Sequence, residues 1–416
     1  MVRLIYGKMN TMKLSEELKW RGLVGQTTVE NLSELDAPGR TFYFGADPSR
    51  DSMTIGNLAA MILCLRFIKA GWKGIILAGG ATGMAGGDPD GKDETRSKMS
   101  LETIEHNVSG IRNQFERIFR GANVEIVNNY DWFKDINFVD FLRNIGWQFS
   151  MTQLLDRDFV KQRIGKDGKG INYAEFSYTL MQGYDYWHLF KTKNAELELC
   201  AVDQFGNCAC GMQLIRKLEG KKVNVFGMPL VINKSTGKKF GKSEAGAVWL
   251  EAKYTSPYKF YQFWLNVDDS GVIDYLKIYT FLSKDEIEAI ASQQAAEPAS
   301  RVAQRRLAEE VTELVHGKIA LAAVQRVTDV MFKESNATNL SNDDLELLSH
   351  EIPTVELGGS VIDAVVGGAL ASSKSEARRL IEQGAITING MKATLDSDLT
   401  VPSLIRRGKN RFALAK

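Results

Sequence analysis

The sequence predicts an α/β fold: a doubly wound parallel-sheet domain, followed by an α-helical domain and a small α+β domain. In the first two hundred-odd residues, short apolar segments alternate with segments of helical periodicity, as expected for strands and helices wound into a parallel sheet. From about residue 256 the periodicity is helical, without a convincing strand. A chain of 416 residues is long enough for two or three such domains.

The strands of the first domain are predicted from short, mainly apolar runs. TFYFGA (Thr41 to Ala46) and GIILAG (Gly74 to Gly79) are the clearest, and VEIVNN and LELCAV are further strands. Continuous apolar runs are typical of strands that helices cover on both faces. The helices between them are predicted at residues 57–70, 101–120, 137–146, 175–190 and 206–218.

The second half of the chain contains helices, a polar stretch and a separate C-terminal block. The helices are predicted at residues 258–265, 271–282, 284–294, 300–316 and 318–332. The stretch that follows is rich in Asn, Ser and Asp, which is typical of a linker. We therefore expect domains at residues 1–245, 246–332 and 355–416, with a linker at 333–354.

Composition and charge restrict the classes of function. Hydrophobic residues make up 44% and charged residues 25% of the chain, the values of an ordinary globular protein. A formal net charge of +1 excludes a uniformly basic coat for nucleic acid, so any RNA site must be local. No apolar run approaches the roughly 20 residues that span a membrane, and the N-terminus lacks the features of a signal peptide. The four cysteines have no paired spacing, so we expect a cytoplasmic protein without disulfides. We also expect no bound metal, no DNA partner and no membrane partner.

Two segments follow predicted strands and therefore lie where parallel sheets bind ligands. The first runs from Ala46 through Thr54 to Asn57, where short polar side chains and free N–H groups at a helix start can hold a polyphosphate. Those side chains also make ordinary helix caps, which the pattern alone favours. The second is the glycine-rich stretch from Gly79 to Gly91, which indicates either close approach of the backbone to a ligand or a flexible turn. No GxxxxGK[ST] sequence is present, which excludes a P-loop enzyme.

Two clusters of basic residues complete the candidate sites. Lys239 and Lys242 flank a glycine in KFGKS, so a loop there can close over a triphosphate, although a bare pattern of this kind is more often surface charge. Residues 372–416 hold nine Lys and Arg against four Asp and Glu. Such a local excess suits contact with phosphates, and a solvated basic surface is an equal alternative.

In their order along the chain, these motifs resemble those of a known family. The DPS–TIGN segment and KFGKS resemble the HIGH and KMSKS signatures of class I aminoacyl-tRNA synthetases. NNYDW, FSYTLMQGYDY and VDQFGN are similar to segments of the bacterial and organellar tyrosyl-tRNA synthetases, and SSKSEARRLIEQGAITING looks like their C-terminal RNA-binding motif. The resemblance covers nearly the whole chain. It implies a Rossmann-like catalytic domain with an inserted dimerisation segment at about 130–180, an anticodon-side helical domain and an RNA-binding domain.

The resemblance assigns a role to each candidate residue. It implies that the substrate tyrosine is bound by Tyr43, Asp88, Asn129, Tyr178, Gln182 and Asp185. It implies that ATP is bound by Asp47, Ser49, Thr54, Gly56, Asn57, Asp203, Lys239 and Lys242. The implied catalytic residues are Lys239, Lys242, Lys92, Arg96 and Gln204. The implied RNA-binding residues are Lys374, Arg378, Arg379, Arg406, Arg407 and Lys409.

The implied reaction needs charge stabilisation more than acid–base catalysis. The carboxylate of tyrosine is already ionised and attacks the α-phosphate of ATP, with Mg²⁺ accompanying the nucleotide and pyrophosphate leaving. Lysines and an arginine on loops would bind the charge that grows on the phosphate oxygens. A terminal ribose hydroxyl of the tRNA then attacks the adenylate. The implied partners are L-tyrosine, ATP, the tyrosine tRNA and a second copy of the chain in a homodimer.

Several positions depart from the pattern of the family. Thr54 and Asn57 stand in place of the two histidines of HIGH, and Phe44 and Phe205 replace a small polar residue and a tryptophan. We therefore expect reduced but real activity, because the tyrosine-recognition residues all remain. A runner-up hypothesis is a relative that lost the chemistry and acts as an RNA-binding or splicing factor. A weaker one is an enzyme that makes tyrosyl-adenylate for another acceptor.

Overall fold

The computed structural model describes residues 12–87, 99–155, 158–165, 168, 170–243, 246–333 and 336–416. The chain divides into two units. The first comprises Met1–Thr255 and Phe263–Val311, and the second comprises Ser256–Gln262 and Thr312–Lys416. The domain limits that we expect from the sequence, at residues 1–245, 246–332 and 355–416, stay a prediction.

A five-stranded parallel sheet forms the centre of the first unit. Its strands are β1 (Thr41–Ala46), β2 (Lys73–Ala78), β3 (Val124–Asn128), β4 (Ala195–Ala201) and β5 (Asn224–Met228). They lie in the order β3-β2-β1-β4-β5, and every neighbouring pair is parallel. In this doubly wound order the direction of winding reverses between β1 and β4. The predicted fold class is therefore confirmed.

The central strands are buried on both faces, as their apolar sequences predict. Phe42 and Tyr43 of β1, and Ile75 and Ile76 of β2, are each at most 2% exposed. Parallel neighbours need crossover connections, so helices cover both faces of the sheet. Tyr43 is the register partner of Glu198 on β4, and paired residues of parallel strands project from the same face. This pair brings a hydroxyl and a carboxyl together at the reversal point.

Helices connect these strands and form the rest of the fold. In chain order they are α1 (Leu14–Trp20), α2 (Ile55–Lys69), α3 (Gly80–Met84), α4 (Leu101–Ile118), α5 (Tyr130–Phe133), α6 (Phe138–Asn144), α7 (Met151–Leu155), α8 (Asp158–Ile164), α9 (Tyr173–Lys193), α10 (Phe205–Glu219), α11 (Pro257–Leu265), α12 (Val272–Tyr279), α13 (Lys284–Ala296), α14 (Val302–Phe332), α15 (Asn342–Ser349), α16 (Val361–Gly367) and α17 (Lys374–Glu382). The backbone of α14 is non-helical at Gly317. Of the helices described, none has both the length and the apolar character needed to cross a membrane.

The helix α9 begins and ends at clear sequence signals. Oδ1 of Asn172 accepts a hydrogen bond from the N–H of Glu175 (2.9 Å), and Oε2 of Glu175 accepts one from the N–H of Asn172 (3.1 Å). This capping box satisfies donors that the first helical turn leaves open. The helix packs closely on α10, where a Cβ atom at Gly211 would lie 2.6 Å from the Cβ of Tyr186. The close approach holds one face of α9 at the end of the sheet.

Two further sheets complete the described structure. In the first unit, β6 (Lys242–Ser243) and β7 (Gly246–Ala247) form a short antiparallel pair. The strands of the second unit are β8 (Thr354–Val355), β9 (Ile386–Ile388), β10 (Met391–Lys392), β11 (Ser403–Arg407) and β12 (Arg411–Ala415). They lie in the order β10-β9-β11-β12-β8, and only the β12–β8 pair of this sheet is parallel. The sheet packs with α16 and α17 on one apolar core.

Candidate active site

A cavity of about 500 Å³ lies at the carboxyl ends of β1 and β4, where the winding of the sheet reverses. Its wall consists of the end of β1, the start of α2, one face of α9, the end of β4 with the turn after it, and the KFGKS loop. The predicted site residues that line it are Tyr43, Asp47, Ser49, Thr54, Gly56, Asn57, Tyr178, Gln182, Asp185, Asp203, Gln204 and Lys239. The structure therefore brings together residues from separate motifs.

The carboxyl group of Asp185 is buried and held by two donors. Its Oδ2 accepts a hydrogen bond from Nδ2 of Asn129 (3.0 Å), and its Oδ1 accepts one from Nε1 of Trp132 (2.8 Å). Asn129 follows β3 directly and is itself fixed, because its Oδ1 accepts a hydrogen bond from the N–H of Ala81 (2.7 Å). Burial raises the pKa of Asp185 well above its usual range, and the two donors oppose that shift. Each carboxyl oxygen keeps a lone pair for a ligand.

Tyr43 presents its hydroxyl to the same part of the cavity. Its side chain is buried, and its ring centroid lies 5.1 Å from that of Tyr186. Burial raises the pKa of Tyr43, and the charges of Glu198 and Asp185 add to the shift, so the hydroxyl stays protonated. That hydroxyl has no hydrogen-bond partner within the described part of the chain. A buried hydroxyl near a buried carboxyl is an arrangement that can receive a hydroxyl group of a ligand.

The start of α2 is capped by its own side chains. Oδ1 of Asn57 accepts hydrogen bonds from the N–H of Thr54 (3.1 Å) and from its hydroxyl (3.0 Å). These two side chains therefore act as a helix cap in the structure, as the simpler interpretation of the sequence expects. The first turn, with Gly56, still lines the cavity, and the N–H groups of a helix start attract anions. At the end of β1, Asp47 accepts a hydrogen bond from the hydroxyl of Thr82 (2.7 Å).

The KFGKS loop lines the cavity through Lys239 and Phe240. Nζ of Lys239 lies 3.0 Å from Oδ2 of Asp203 in the turn after β4, and this side chain of Lys239 is 64% exposed. The ring of Phe240 is buried and stacks on Tyr275, with centroids 4.2 Å apart, which anchors the loop. Lys242 begins β6, and its side chain lies outside the described atoms. The loop thus combines a fixed aromatic ring with an exposed, weakly held cation.

Three predicted residues lie outside the described part of the chain, namely Asp88, Lys92 and Arg96. The glycine-rich stretch is described as far as Gly87. A Cβ atom at Gly79 would lie 2.3 Å from Oγ1 of Thr82, and one at Gly80 would lie 2.4 Å from Oδ1 of Asn128. Close internal packing therefore accounts for these two glycines, in place of the flexible turn or ligand contact that the sequence indicates.

Comparison with known proteins identifies the family. Residues 38–333 match the family described as tRNA synthetases class I (W and Y), and residues 344–415 match a tyrosine–tRNA ligase SYY-like C-terminal domain. The chain belongs to the class I tRNA synthetase family. The tyrosine–tRNA ligase 1 of Enterococcus faecalis is 41% identical over 422 residues, covering 97% of this chain and 99% of that protein. The tyrosine–tRNA ligase of Chromobacterium violaceum is 43% identical over 423 residues, covering 98% and 99%.

Solved structures of the family support the same assignment. A C-terminally truncated mitochondrial tyrosyl-tRNA synthetase of Aspergillus nidulans has a TM-score of 0.68 and 27% identity, covering 77% of this chain and 94% of that one. The corresponding enzyme of Coccidioides posadasii has a TM-score of 0.66 and 27% identity, covering 76% and 92%. The resemblance inferred from the motifs is confirmed. The hypothesis of a non-catalytic RNA-binding relative finds no support among these synthetases.

The basic residues predicted to bind RNA lie in the C-terminal domain of this synthetase fold. Arg378 and Arg379 on α17 are exposed, as is Lys409 in the turn between β11 and β12. Arg407 is instead committed to the fold, since its Nη1 donates to the carbonyl of Leu370 (2.6 Å) and to Oε1 of Glu376 (3.1 Å). Two others are also engaged: Lys374 pairs with Asp363, and Arg406 donates to the carbonyl of Gly408.

Three residues of the synthetase site were not among the sequence-predicted site residues. Trp132 holds Asp185, Thr82 holds Asp47, and Glu198 lines the cavity. Trp132 lies inside the NNYDW motif together with Asn129, so the motif itself is a sequence signal for Trp132. The sequence offers no such signal for Glu198, because alternating Glu and Leu in β4 is also typical of a strand with one solvated face. Within the described residues, no group of three His, Cys, Asp or Glu side chains is placed to hold a metal ion.

Proposed function

We propose that this protein activates L-tyrosine with ATP to tyrosyl-adenylate and then transfers the tyrosine to its tRNA. The observation that carries the proposal is the buried carboxyl of Asp185, which Asn129 and Trp132 hold. It lies in the same cavity as the hydroxyl of Tyr43, which has no hydrogen-bond partner among the described residues. Family membership and near full-length similarity to tyrosine–tRNA ligases support the same substrate.

Recognition of tyrosine follows from the cost of leaving buried polar groups unpaired. The phenol hydroxyl donates to Asp185 and accepts from Tyr43, so both groups of the protein are satisfied. Phenylalanine would exclude water from the site without supplying either bond, at about 1–3 kcal/mol for each unpaired group. At the other end of the amino acid, Tyr178 and Gln182 of α9 would hold the ammonium group, with Asp88 as the third proposed ligand. The cavity is therefore selective for a phenol.

The nucleotide would bind at the start of α2. Its first turn offers backbone N–H groups, and Gly56 leaves room for a phosphate to approach them. Asp47, Ser49, Thr54 and Asn57 border the same space. We propose that Asp203 binds the ribose, so Lys239 must leave it when ATP enters. Mg²⁺ would enter with the ATP phosphates.

The chemistry of activation would then depend on positioning and positive charge. The ionised carboxylate of tyrosine, with Gln204 beside it, attacks the α-phosphate of ATP and releases pyrophosphate. Lys239, once free of Asp203, moves to the leaving group and stabilises charge that appears only in the transition state. We propose the same role for Lys242, Lys92 and Arg96.

The tRNA would contact the basic face of the C-terminal domain. Arg378, Arg379 and Lys409 are exposed and suit phosphate contact. Arg407, which is held by Glu376 and Leu370, would support that face without binding RNA. A cytoplasmic location stays a prediction.

We also propose that the protein is a homodimer through the segment at about 130–180. Trp147, Val139 and Phe138 are 86%, 68% and 63% exposed, which is unusual for large apolar side chains. Further exposed apolar residues of the segment are Tyr130, Leu142, Met151, Leu155, Ile164 and Tyr173. A second copy of the chain would cover them. Light scattering should give a dimer for the native protein and a monomer for Trp147→Glu. Ile319→Glu is the control, since Ile319 is an apolar residue outside this segment that is 89% exposed, and this variant should remain a dimer.

Tyrosine-dependent exchange of pyrophosphate into ATP tests the proposed function. The full-length protein should catalyse exchange with tyrosine and not with phenylalanine, and should then charge tyrosine tRNA. Exchange without charging would indicate another acceptor, and charging should weaken in an Arg378→Glu, Arg379→Glu variant that keeps normal exchange. A protein that performs neither reaction, or that uses phenylalanine equally well, contradicts the proposal.

A further inference from the structure

Three buried polar atoms of the cavity wall have no hydrogen-bond partner within the described structure. They are the hydroxyl oxygen of Tyr43, Oε1 of Gln182 and Oε2 of Glu198. Buried polar groups are otherwise almost always paired, so each of these needs an explanation. The proposed function gives Tyr43 and Gln182 a substrate group to bind. The proposed function gives no such role to Glu198, whose carboxyl lies in the middle of β4 and lines the cavity.

Glu198 lies between the two residues that would bind the ends of the substrate. It is 2% exposed, and its Oε1 accepts a hydrogen bond from Nε2 of Gln182 (3.2 Å). On the adjacent strand its register partner is Tyr43, and the two side chains influence each other's pKa, as neighbours do. Glu198 therefore contacts the amide of Gln182, which would face the ammonium end of the substrate. It also lies beside the hydroxyl of Tyr43, which would face the phenol end.

The number of protons at the phenol end restricts how these groups can bond. The two N–H donors on its oxygens stabilise the ionised form of Asp185, which can then accept a hydrogen bond from the substrate hydroxyl. The substrate oxygen still needs a donor, which is the hydroxyl of Tyr43. If Glu198 were ionised, it would compete for that same proton. If Glu198 is neutral, it donates to the oxygen of Tyr43, and every group in the row from Glu198 to Asp185 is satisfied.

From this arrangement, and resting on the proposed function, we propose that neutral Glu198 is a positioning residue for tyrosine recognition. By donating its proton to the oxygen of Tyr43, it directs the hydroxyl hydrogen of Tyr43 towards the substrate phenol. It acts through Tyr43 and does not itself touch the substrate hydroxyl.

Burial is the main factor that favours the neutral form of Glu198. Burial raises the pKa of Glu198 to about 7, against the lowering effect of Tyr43, Cys208 and Gln182. The titratable groups that face it are Tyr43 on β1, Asp185 and Tyr186 on α9, and Cys208 on α10. Its strand neighbour β5 has no ionisable residue, and Arg66 of α2 pairs with Glu17 instead. Two neighbouring buried carboxyls rarely ionise together. Asp185 receives N–H donors on both oxygens and Glu198 on one, so we place the charge on Asp185 and the proton on Glu198.

Calorimetric titration of tyrosine without ATP, across pH 6 to 8.5, tests this proposal in the full-length protein. Because binding requires the neutral form, the Kd for tyrosine should rise by about thirtyfold between pH 6 and pH 8.5, since this window spans the pKa of Glu198, which is about 7. Glu198→Gln keeps a donor for Tyr43 and cannot ionise, so its Kd should match the low-pH value of the native protein at every pH. Glu196→Gln is the control, since Glu196 lies on the same strand but pairs with Arg40 outside the cavity wall, and it should keep the native profile.

Two further readouts separate positioning from a structural role. In pyrophosphate exchange, the KM for tyrosine should follow the same pH profile while kcat at saturation changes little. Binding of phenylalanine, which lacks the hydroxyl, should not depend on the protonation of Glu198. Identical pH profiles for the native protein and Glu198→Gln would overturn the inference alone. Absence of tyrosine binding in both proteins at every pH would overturn the proposed function as well.

Discussion

The two ends of the cavity are built differently. At the phenol end, Asp185 is buried and held by Asn129 and Trp132, on elements that the parallel sheet and its helices support. At the nucleotide end, Lys239 is largely exposed and pairs with Asp203, which is also partly exposed. The first arrangement resists rearrangement because breaking it leaves buried groups unpaired. The second costs little to open, since exposed ion pairs contribute about 0–1 kcal/mol.

This difference separates recognition from catalysis within one cavity. Groups that are already in place select the amino acid in its ground state, and their loss should appear in KM and in specificity. Groups that can move bind charge only when it develops, and their loss should appear in kcat. The following substitutions test whether the two ends behave independently.

The largest effect is expected for Asp185→Asn. The amide nitrogen of the new side chain would meet the N–H of Asn129 or of Trp132, so at least one buried donor loses its acceptor. The charge-assisted bond to the phenol is lost as well, for a total of about 3 kcal/mol or roughly a hundredfold in kcat/KM for tyrosine.

Exchange kinetics with tyrosine and phenylalanine, alongside a thermal melt, measure this effect. Activity with phenylalanine should change far less, so the preference for tyrosine should shrink. An unchanged preference would remove Asp185 from the recognition of the phenol and break the contrast between the two ends.

A smaller effect, of opposite kind, is expected for Lys239→Ala. Removing a cation that reaches the phosphates only in the transition state should lower kcat for exchange by about ten- to thirtyfold, or about 1.4–2 kcal/mol. The KM for tyrosine should stay within about twofold of the native value. The neighbouring exposed Lys238 supplies the matched control, and Lys238→Ala should leave kcat near native. A rise in the KM for tyrosine with native kcat would assign Lys239 to ground-state binding.

A several-fold effect is expected for Thr54→His. The longer side chain reaches towards the phosphates, so kcat for exchange should rise by about two- to fivefold. The same change removes the hydroxyl that bonds Asn57, which should destabilise the start of α2 by about 1 kcal/mol and lower Tm slightly. Unchanged exchange together with a lower Tm would mean that position 54 serves the helix alone.

The contrast between the two ends also explains what could be predicted from the sequence. The spacing of Tyr178, Gln182 and Asp185 is a local property of one helix, so the sequence is sufficient to predict a common face. The parallel, doubly wound sheet of the first domain follows from the alternation of apolar and helical segments in the same way. The partners of Asp185 are non-local, because Asn129 and Trp132 reach it only through the topology of the sheet. Their joint action on one carboxyl could not be derived from spacing.

Glu198 illustrates a second limit of prediction from sequence. In AELELCA the glutamates alternate with leucines, a pattern that is typical of a strand with one solvated face. In the structure α9 covers that face, so Glu198 is buried, whereas Glu196 is partly exposed and reaches Arg40. At the nucleotide end, the choice between a helix cap and a phosphate contact for Thr54 also depended on atomic distances. Tertiary context decides both cases, and it is absent from a local pattern.

The smallest expected effect concerns Asp51, which anchors the loop between β1 and α2 outside the cavity wall. Burial alone would raise the pKa of Asp51, but Lys253 and the hydroxyl of Tyr254 lower it to about 2, with His106 adding to the effect. A folded-state pKa below the unfolded value near 3.9 stabilises the protein above pH 4, and this stability is lost as pH falls from about 4 to 2.

Asp51→Asn should therefore lower the Tm at pH 7 by a few degrees and flatten the decline of the Tm between about pH 4 and pH 2. Glu105→Gln, at an exposed carboxylate of the same unit, should keep the native decline. Because Asp51 does not line the cavity, the preference for tyrosine over phenylalanine should survive its loss, and a changed preference would show that the anchors of the two ends are coupled.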